Sequence, residues 1–430
     1  MRSVVRPILV LLAATAPSVA AAQLNSSLLQ NPLPIEYDRG RNVSVAERSR
    51  PDYDPLGIRT GGVLIYPRID LGIGGSDNVY LTENNRVGDG YVLVAPSLRA
   101  QTDWARHQLV LNTGARLRRY FDNSPRNQDE WNVSALGRFD LGTVFTLTPE
   151  VQAARVQEDP FSGQSASTVA TLSSYERTFA GVRGEYRAGH VRAIVAYNHQ
   201  TFDFNDIELS TGGEIDQSDR DRKIDQVIGQ LEYALTPSTA LYGHVSFDET
   251  DYDRNLPGLI VTRDSTGFRA IGGVSLDVSG FFRGIVGVGY SRRSYNAAQF
   301  QDVSGLSAEG RIEYFRSELT TFTLGARRVI EDSNLGNTSA FFDNRVSLKV
   351  DHELRRNILV NLGAEYGFQD YIDSEQRAKI WRIRGGGRYL LSRALSISAD
   401  VSYATRNFRF GAADSRINEL QGGLSLTLQR

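Results

Sequence analysis

From Gly61 to the end of the chain, apolar and polar residues alternate with a period of two. Val63, Ile65, Pro67, Ile69, Leu71 and Ile73 share one face, and Leu64, Tyr66, Arg68, Asp70 and Gly72 share the other. Successive side chains of a strand point to opposite faces, so this is the pattern of a strand between an apolar medium and water. A helix would scatter Arg68 and Asp70 around its circumference. The next hairpin repeats the alternation. Val92, Val94, Pro96, Leu98 and Ala100 oppose Ser97, Arg99, Gln101 and Asp103, and the return strand sets Leu109, Leu111 and Leu117 against Gln108, Asn112, Arg116 and Arg118. Pro67 and Pro96 each remove a ladder donor, which predicts positions near strand ends or bulges.

The same period predicts 18 strands, near 61–74, 91–103, 107–121, 130–141, 143–157, 174–188, 190–204, 222–235 and 239–252, then 265–278, 281–295, 305–315, 319–331, 341–354, 358–371, 378–391, 395–409 and 415–429. The faces are least distinct in 174–188 and 281–295. Short and long connections alternate. Gly142, Gly189, 236–238, 279–280, 316–318, 355–357 and 392–394 are tight, whereas 75–90, 158–173, 205–221 and 253–264 are longer and polar. Short turns at one end and long loops at the other are the mark of a transmembrane antiparallel up-and-down β-barrel. An even strand count puts both termini on the turn side. A soluble sandwich or solenoid has no reason to sort its connections this way. Among β-structures only a closed sheet satisfies every peptide group in hydrocarbon, where each unpaired one costs several kcal/mol. The last strand keeps the alternation through Leu424, Leu426 and Leu428 but ends on Arg430, where many such barrels end on an aromatic residue.

The N-terminal region reads differently. Arg2 and Arg6, an apolar core from Ile8 to Ala14, and Ala20 and Ala22 make a secretory signal peptide over residues 1–22, too short to span a bilayer. Residues 23–60 carry Pro32, Pro34, Pro51 and Pro55 among polar residues. They read as an extended periplasmic tail, a small lumen plug, or a leader without a role of its own. Residues 61–430 are the barrel.

Composition agrees with a barrel. The chain of 430 residues has 40 Gly, 19 Tyr and 19 Phe, which suit crowded strands and interfacial girdles. It has no Cys, so disulfide and thiol chemistry are excluded. A net charge of −2 gives no signal for nucleic acid.

If the apolar face meets lipid, the other face is the lumen. It would carry Arg68, Arg99, Arg116, Arg118, Arg138, Arg192, Arg269, Arg283, Arg311, Arg382, Arg384 and Arg388, with Tyr66, Tyr120 and Tyr242 among them. Asp70, Glu150, Glu232, Asp248, Asp277, Glu309, Glu313, Asp351, Glu365, Asp400 and Glu419 share that face. Arginines and tyrosines could line a path for an anionic or sugar-like polymer, since guanidinium forks pair with carboxylates. Equally, charges of both signs could brace the wall as ion-pair ladders. The acidic loop 205–221 lacks the ordered spacing of a calcium loop and reads as a solvated segment.

No catalytic residue, cofactor site or metal site stands out. There is no G-x-S-x-G elbow, no H-E-x-x-H and no Cys/His cluster, and Gly72-Ile73-Gly74-Gly75 is followed by no helix. His199 and His244 have no marked serine partner.

Several segments resemble an outer-membrane β-barrel family associated with bacterial exopolysaccharide, capsule or holdfast production. They are Arg50-Pro51-Asp52-Tyr53-Asp54-Pro55-Leu56-Gly57-Ile58-Arg59, Tyr66-Pro67, Ser76-Asp77-Asn78-Val79-Tyr80, Ala95-Pro96-Ser97-Leu98, Tyr120-Phe121 and Asp159-Pro160. The likeness is sharpest over 50–160. It implies a non-enzymatic conduit or accessory for exopolysaccharide secretion in a Gram-negative outer membrane. The implied partners are outer-membrane lipid, exopolysaccharide and periplasmic export components, with no nucleic acid. A general diffusion porin and a surface attachment or receptor barrel are the other readings the residues leave open.

Overall fold

The architecture comes from a computed structural model, which describes residue 40 and residues 42–430 apart from 163–168, 211, 279, 334–337, 373 and 411–412. Residues 1–39, which hold the expected signal peptide and most of the expected tail, lie outside the described residues.

A short strand β1 (Ile58–Thr60) precedes the wall. The wall begins with β2 (Val63–Ser76), β3 (Asp89–Thr102), β4 (Gln108–Tyr120), β5 (Gln128–Leu141), β6 (Phe145–Gln157), β7 (Ser174–Ala188) and β8 (Val191–Phe204). A two-residue hairpin, β9 (Ile207–Glu208) with β10 (Glu214–Ile215), sits in the next loop. The wall resumes with β11 (Arg222–Thr236), β12 (Thr239–Tyr252), β13 (Ser265–Val278), β14 (Phe282–Tyr295), β15 (Val303–Ser317) and β16 (Thr320–Asp332). It ends with β17 (Ala340–Arg355), β18 (Ile358–Tyr371), β19 (Arg377–Leu390), β20 (Leu395–Phe410) and β21 (Ala413–Gln429). Each strand pairs antiparallel with the next, β8 with β11, and β21 closes on β2 through Arg68↔Gln429 to Ser76↔Gln421. The result is a closed barrel of 18 strands.

The long connections lie together at one end and the tight turns at the other, which carries Gly142, Gly189 and Gly280 at positive φ. Left-handed backbone of this kind is cheap only for glycine. Pro67 and Pro96 differ from the sequence expectation. Both lie inside strands, paired with Leu98 and Ile69. At Pro96 the β3–β4 ladder omits two pairs, between Val94↔Leu117 and Ser97↔Gly114, yet the register resumes unshifted. The missing donor interrupts the ladder without a bulge.

Large hydrophobic side chains cover the outer surface, among them Val227, Leu231 and Tyr233 on β11, Leu241, Val245 and Phe247 on β12, and Val286, Val288 and Tyr290 on β14. Most buried wall residues face inward. They form small clusters, most of them near the loop end, such as Tyr175, Phe202, Phe204 and Ile224, rather than one continuous core.

Candidate functional site

Directly opposed residues of neighbouring strands share a face, so the register assigns every wall residue to one side. Tyr66 opposes Arg99, Arg99 opposes Asn112, Arg116 opposes Glu130, and the even positions of β12 face the same way as the odd positions of β13 and β14. Followed around all 18 strands, the assignment returns to β2 with its sign unchanged. It places all fifteen sequence candidates, Arg68 to Arg388 with Tyr66, Tyr120 and Tyr242, on the inward face. The eleven acidic residues named with them face inward too. His199 does not: it faces outward beside Asp225 at 2.9 Å, whereas His244 faces inward and is buried.

The lumen has two unlike sectors. From β8 to β14 nearly every inward side chain is buried. Tyr242 lies over Gly273 and Gly287, where any Cβ would collide with its ring. Ionic groups fill the same sector in bonded sets. Arg192 reaches Glu185 at 2.9 Å and Glu232 at 3.3 Å, and Arg269 reaches Glu309 at 2.7 Å and the Ser307 hydroxyl at 2.9 Å. Arg293 pairs with Asp248, both fully enclosed. From β19 through β2 to β6, by contrast, mid-wall inward residues such as Arg68, Arg99, Arg116, Arg118, Arg384 and Glu150 are only half-buried, and Arg388 and Asp400 are exposed to the interior.

The arginines also divide by partner. Arg68 pairs with Asp70 (2.7 Å), Arg138 with Asp140 (3.2 Å), Arg283 and Arg311 with Glu313 (2.5 and 2.9 Å), and Arg382 with Glu365 (3.3 Å) and Asp159. These brace the wall. Arg99, Arg116, Arg118 and Arg388 have no carboxylate within 4.0 Å among the described residues. Arg118 lies over the Tyr91 ring at 4.5 Å, and Arg388 donates to the Ser398 hydroxyl at 3.4 Å. All four belong to the accessible sector, on β3, β4 and β19. Tyr120 is buried there, in edge-to-face contact with Tyr91.

Both mouths carry inward-folded segments. At the turn end, residues 42–57 follow the inner rim as a strap. Asn42 donates to Asp277 (2.6 Å), the Val45 amide to Thr321 (3.1 Å), and Arg50 to Glu353 (2.7 Å), with both members of that last pair buried. Arg283 ties Glu47 (2.5 Å) to the wall, and Arg393 holds the Pro51 carbonyl at 2.9 Å. Burial disfavours the Glu47 carboxylate, but the Arg283 guanidinium outweighs it and holds the group below its ordinary range. The strap ends in β1, which pairs with the start of β2.

At the loop end, the segment after β6 turns inward. Asp159 pairs with Arg382 on β19, Gln369 on β18 donates to the Ser162 carbonyl (2.6 Å), and Phe161 packs with Leu81, Ile380 and Ile417. Asp159 is only two residues past β6, so the two walls approach closely here. Burial opposes its charge, yet Arg382 holds the carboxyl below its usual value. Further along, Arg126 grips the Val169 carbonyl at 2.9 Å, and Arg220 pairs with Glu158 at 2.5 Å.

Sequence reading missed several inward charges. Arg177, Arg183 and Glu185 lie on β7 and Arg293 on β14, the strands whose faces are indistinct; Arg327, Asp343 and Arg345 form a bonded set on β16 and β17. Arg-x-Glu and Asp-x-Arg at a spacing of two were the available signal.

A family model described as Putative beta-barrel porin 2 matches residues 50–430. No curated protein matches. Among solved structures, the chain is similar to the outer membrane protein OpdK of Pseudomonas aeruginosa, at 13% identity and a TM-score of 0.46, covering 85% of this chain and 99% of that one. OpdL of Pseudomonas aeruginosa gives 11% and 0.44, covering 86% and 99%. A mutant of the ferric enterobactin receptor PfeA, also of Pseudomonas aeruginosa, gives 8% and 0.45, covering 85% and 80%.

Proposed function

The chain belongs to the beta-barrel porin family that matches residues 50–430, and from that premise we propose that this porin-like outer-membrane barrel is a non-enzymatic conduit for an acidic exopolysaccharide. The observation that carries the reading is the set Arg99, Arg116, Arg118 and Arg388. These guanidiniums face an accessible part of the lumen and have no carboxylate partner within 4.0 Å among the described residues. A braced wall needs no such groups. A path for a carboxylate-bearing chain does, because each guanidinium offers a forked donor pair to a passing anion without a fixed protein carboxylate to displace. A barrel of this strand number is wide enough to hold an aqueous passage beside its packed sector. The sequence resemblance to barrels of exopolysaccharide, capsule and holdfast production supports the choice of polymer. The strap and the segment after β6 then stand at the two ends of the path, where export components on the periplasmic side could act on the strap.

Deletion of the gene tests this directly. Acidic polysaccharide at the cell surface falls in the deletion strain and returns with the wild-type gene. It returns less well with a gene carrying Arg116→Gln, Arg118→Gln and Arg388→Gln. Unchanged surface polysaccharide in the deletion strain would instead leave a general diffusion porin.

A further inference from the structure

On the outward face of β18–β21 the register stacks side chains in rows. One row runs Ala364–Ile383–Tyr403–Leu420, and the next, toward the loop end, Tyr366–Trp381–Thr405–Asn418. The Tyr366 and Trp381 rings touch at 4.5 Å between centroids. Aromatic side chains gathered at the edge of an apolar band mark the interface between hydrocarbon and headgroups. Below them on β19, Ile383 and Tyr389 continue the apolar column.

Immediately above this girdle the rows become charged, and the first of them is basic. The first runs Phe368–Lys379–Asn407–Arg416, and the second Asp370–Arg377–Arg409–Asp414. Lys379, Asn407, Arg416, Arg377 and Arg409 are all exposed. Arg377 directly opposes Arg409, a like-charge pair that costs a sheet stability unless something compensates it. Asp370 and Asp414 do so in part, at 3.3 and 2.8 Å. In the lower row no carboxylate lies within 4.0 Å of Lys379 or Arg416 among the described residues. Strands are about 4.8 Å apart, so the Cα atoms of Lys379 and Arg416, with Asn407 between them, are roughly 10 Å apart. Both long side chains can therefore converge on one tetrahedral anion over the Asn407 amide, which offers two further donors.

We propose that Lys379, Asn407 and Arg416 form a site for the phosphate of a membrane lipid headgroup on the loop side of the barrel, with Arg377 and Arg409 as a second tier. The position selects a lipid rather than free phosphate, because the site opens sideways, one row above the Tyr366–Trp381 girdle, where headgroups stand. The proposal is independent of the lumen, since every residue in it faces outward.

Native mass spectrometry of the full barrel, released from detergent in the presence of bisphosphorylated lipid A, tests it. The wild type retains lipid A, and the Lys379→Gln/Arg416→Gln variant retains it about tenfold less, as loss of charge-assisted bonds to one anion predicts. Arg377→Gln/Arg409→Gln reduces retention less. Lipid A stripped of both phosphates is not retained, and millimolar inorganic phosphate does not displace the phosphorylated form. Equal retention by the lower-row variant, equal retention of the dephosphorylated lipid, or displacement by inorganic phosphate would each overturn the assignment. So would a wild-type oligomer that the lower-row variant dissolves, which would make the patch a contact between copies. Exposed positions tolerate these substitutions, and a heat-modifiability gel confirms a folded barrel before lipid is added.

Discussion

One of the ties that fasten the strap at the turn end is an enclosed ion pair, and removing half of it gives a sharp test. Arg50 donates to Glu353 at 2.7 Å, to the Val45 carbonyl at 2.9 Å and to the Arg48 carbonyl at 2.9 Å. Its side chain is 5% exposed and that of Glu353 3%. Glu353→Ala leaves a buried guanidinium with carbonyl partners only. Truncating one member of a buried pair costs about 3–5 kcal/mol, because the other charge stays desolvated. The retained carbonyl bonds favour the lower figure, about 3 kcal/mol. That shifts the docked-to-released ratio of the strap by roughly 150-fold. Trypsin cleavage after Arg48 in the folded barrel reads the released population, provided reclosing is faster than cutting. The variant is therefore cut far faster than wild type while the barrel itself resists. Glu318→Gln is the control: Glu318 lies 4.0 Å from Arg48 but is 91% exposed, so cleavage stays near the wild-type rate. A Glu353→Ala barrel cut within twofold of wild type would show that the pair does not hold the strap.

Three other outcomes follow from the same geometry. Arg116→Gln with Arg118→Gln and Arg388→Gln moves the zero-current potential in a salt gradient toward cations, and an unmoved potential would mean the ions pass elsewhere. Asp159→Asn frees the segment after β6 from Arg382, which keeps Glu365 at 3.3 Å; conductance rises or flickers between levels, while a silent, steady trace would remove the latch. The Asp159 carboxyl is held below its ordinary value, so its contribution is complete above the ordinary aspartate range of about 4 and disappears only as pH falls through the lowered value. Opening in the range of about pH 5–6 would contradict that sign. Gly289→Val fails to give a heat-modifiable barrel, because a Cβ there collides with the Ala270 carbonyl; Gly229→Ala, with open space around it, assembles normally.

The strands were legible because each has one medium on either side. On β12, Leu241, Val245 and Phe247 alternate with Tyr242, Ser246 and Asp248, so both limits and face can be read from the residues. β14 resisted the face assignment because Gly284, Gly287 and Gly289 carry no side chain to declare a side, and because Ile285 turns inward to fill the packed sector. β7 resisted it for a related reason, with Ala180, Gly181 and Gly184 at its middle. Pro96 misled because a ladder can skip pairs without changing register. That Arg116 and Arg118 have no carboxylate within 4.0 Å among the described residues could not be read either. It depends on which carboxylates lie across the lumen, a distance that sequence spacing does not encode. The strap and the inward turn of Phe161 were hidden for the same reason. Arg50 and Asp159 look like solvated loop charges until Glu353 and Arg382 are placed beside them.

The most direct test of the account is single-channel conductance of the purified barrel in planar bilayers, recorded with and without the producing cell's own acidic polysaccharide. The account predicts a steady, anion-favouring pore that the polymer blocks, with block weakened by Arg116→Gln and Arg118→Gln. A pore indifferent to the polymer, or no pore at all, would contradict it.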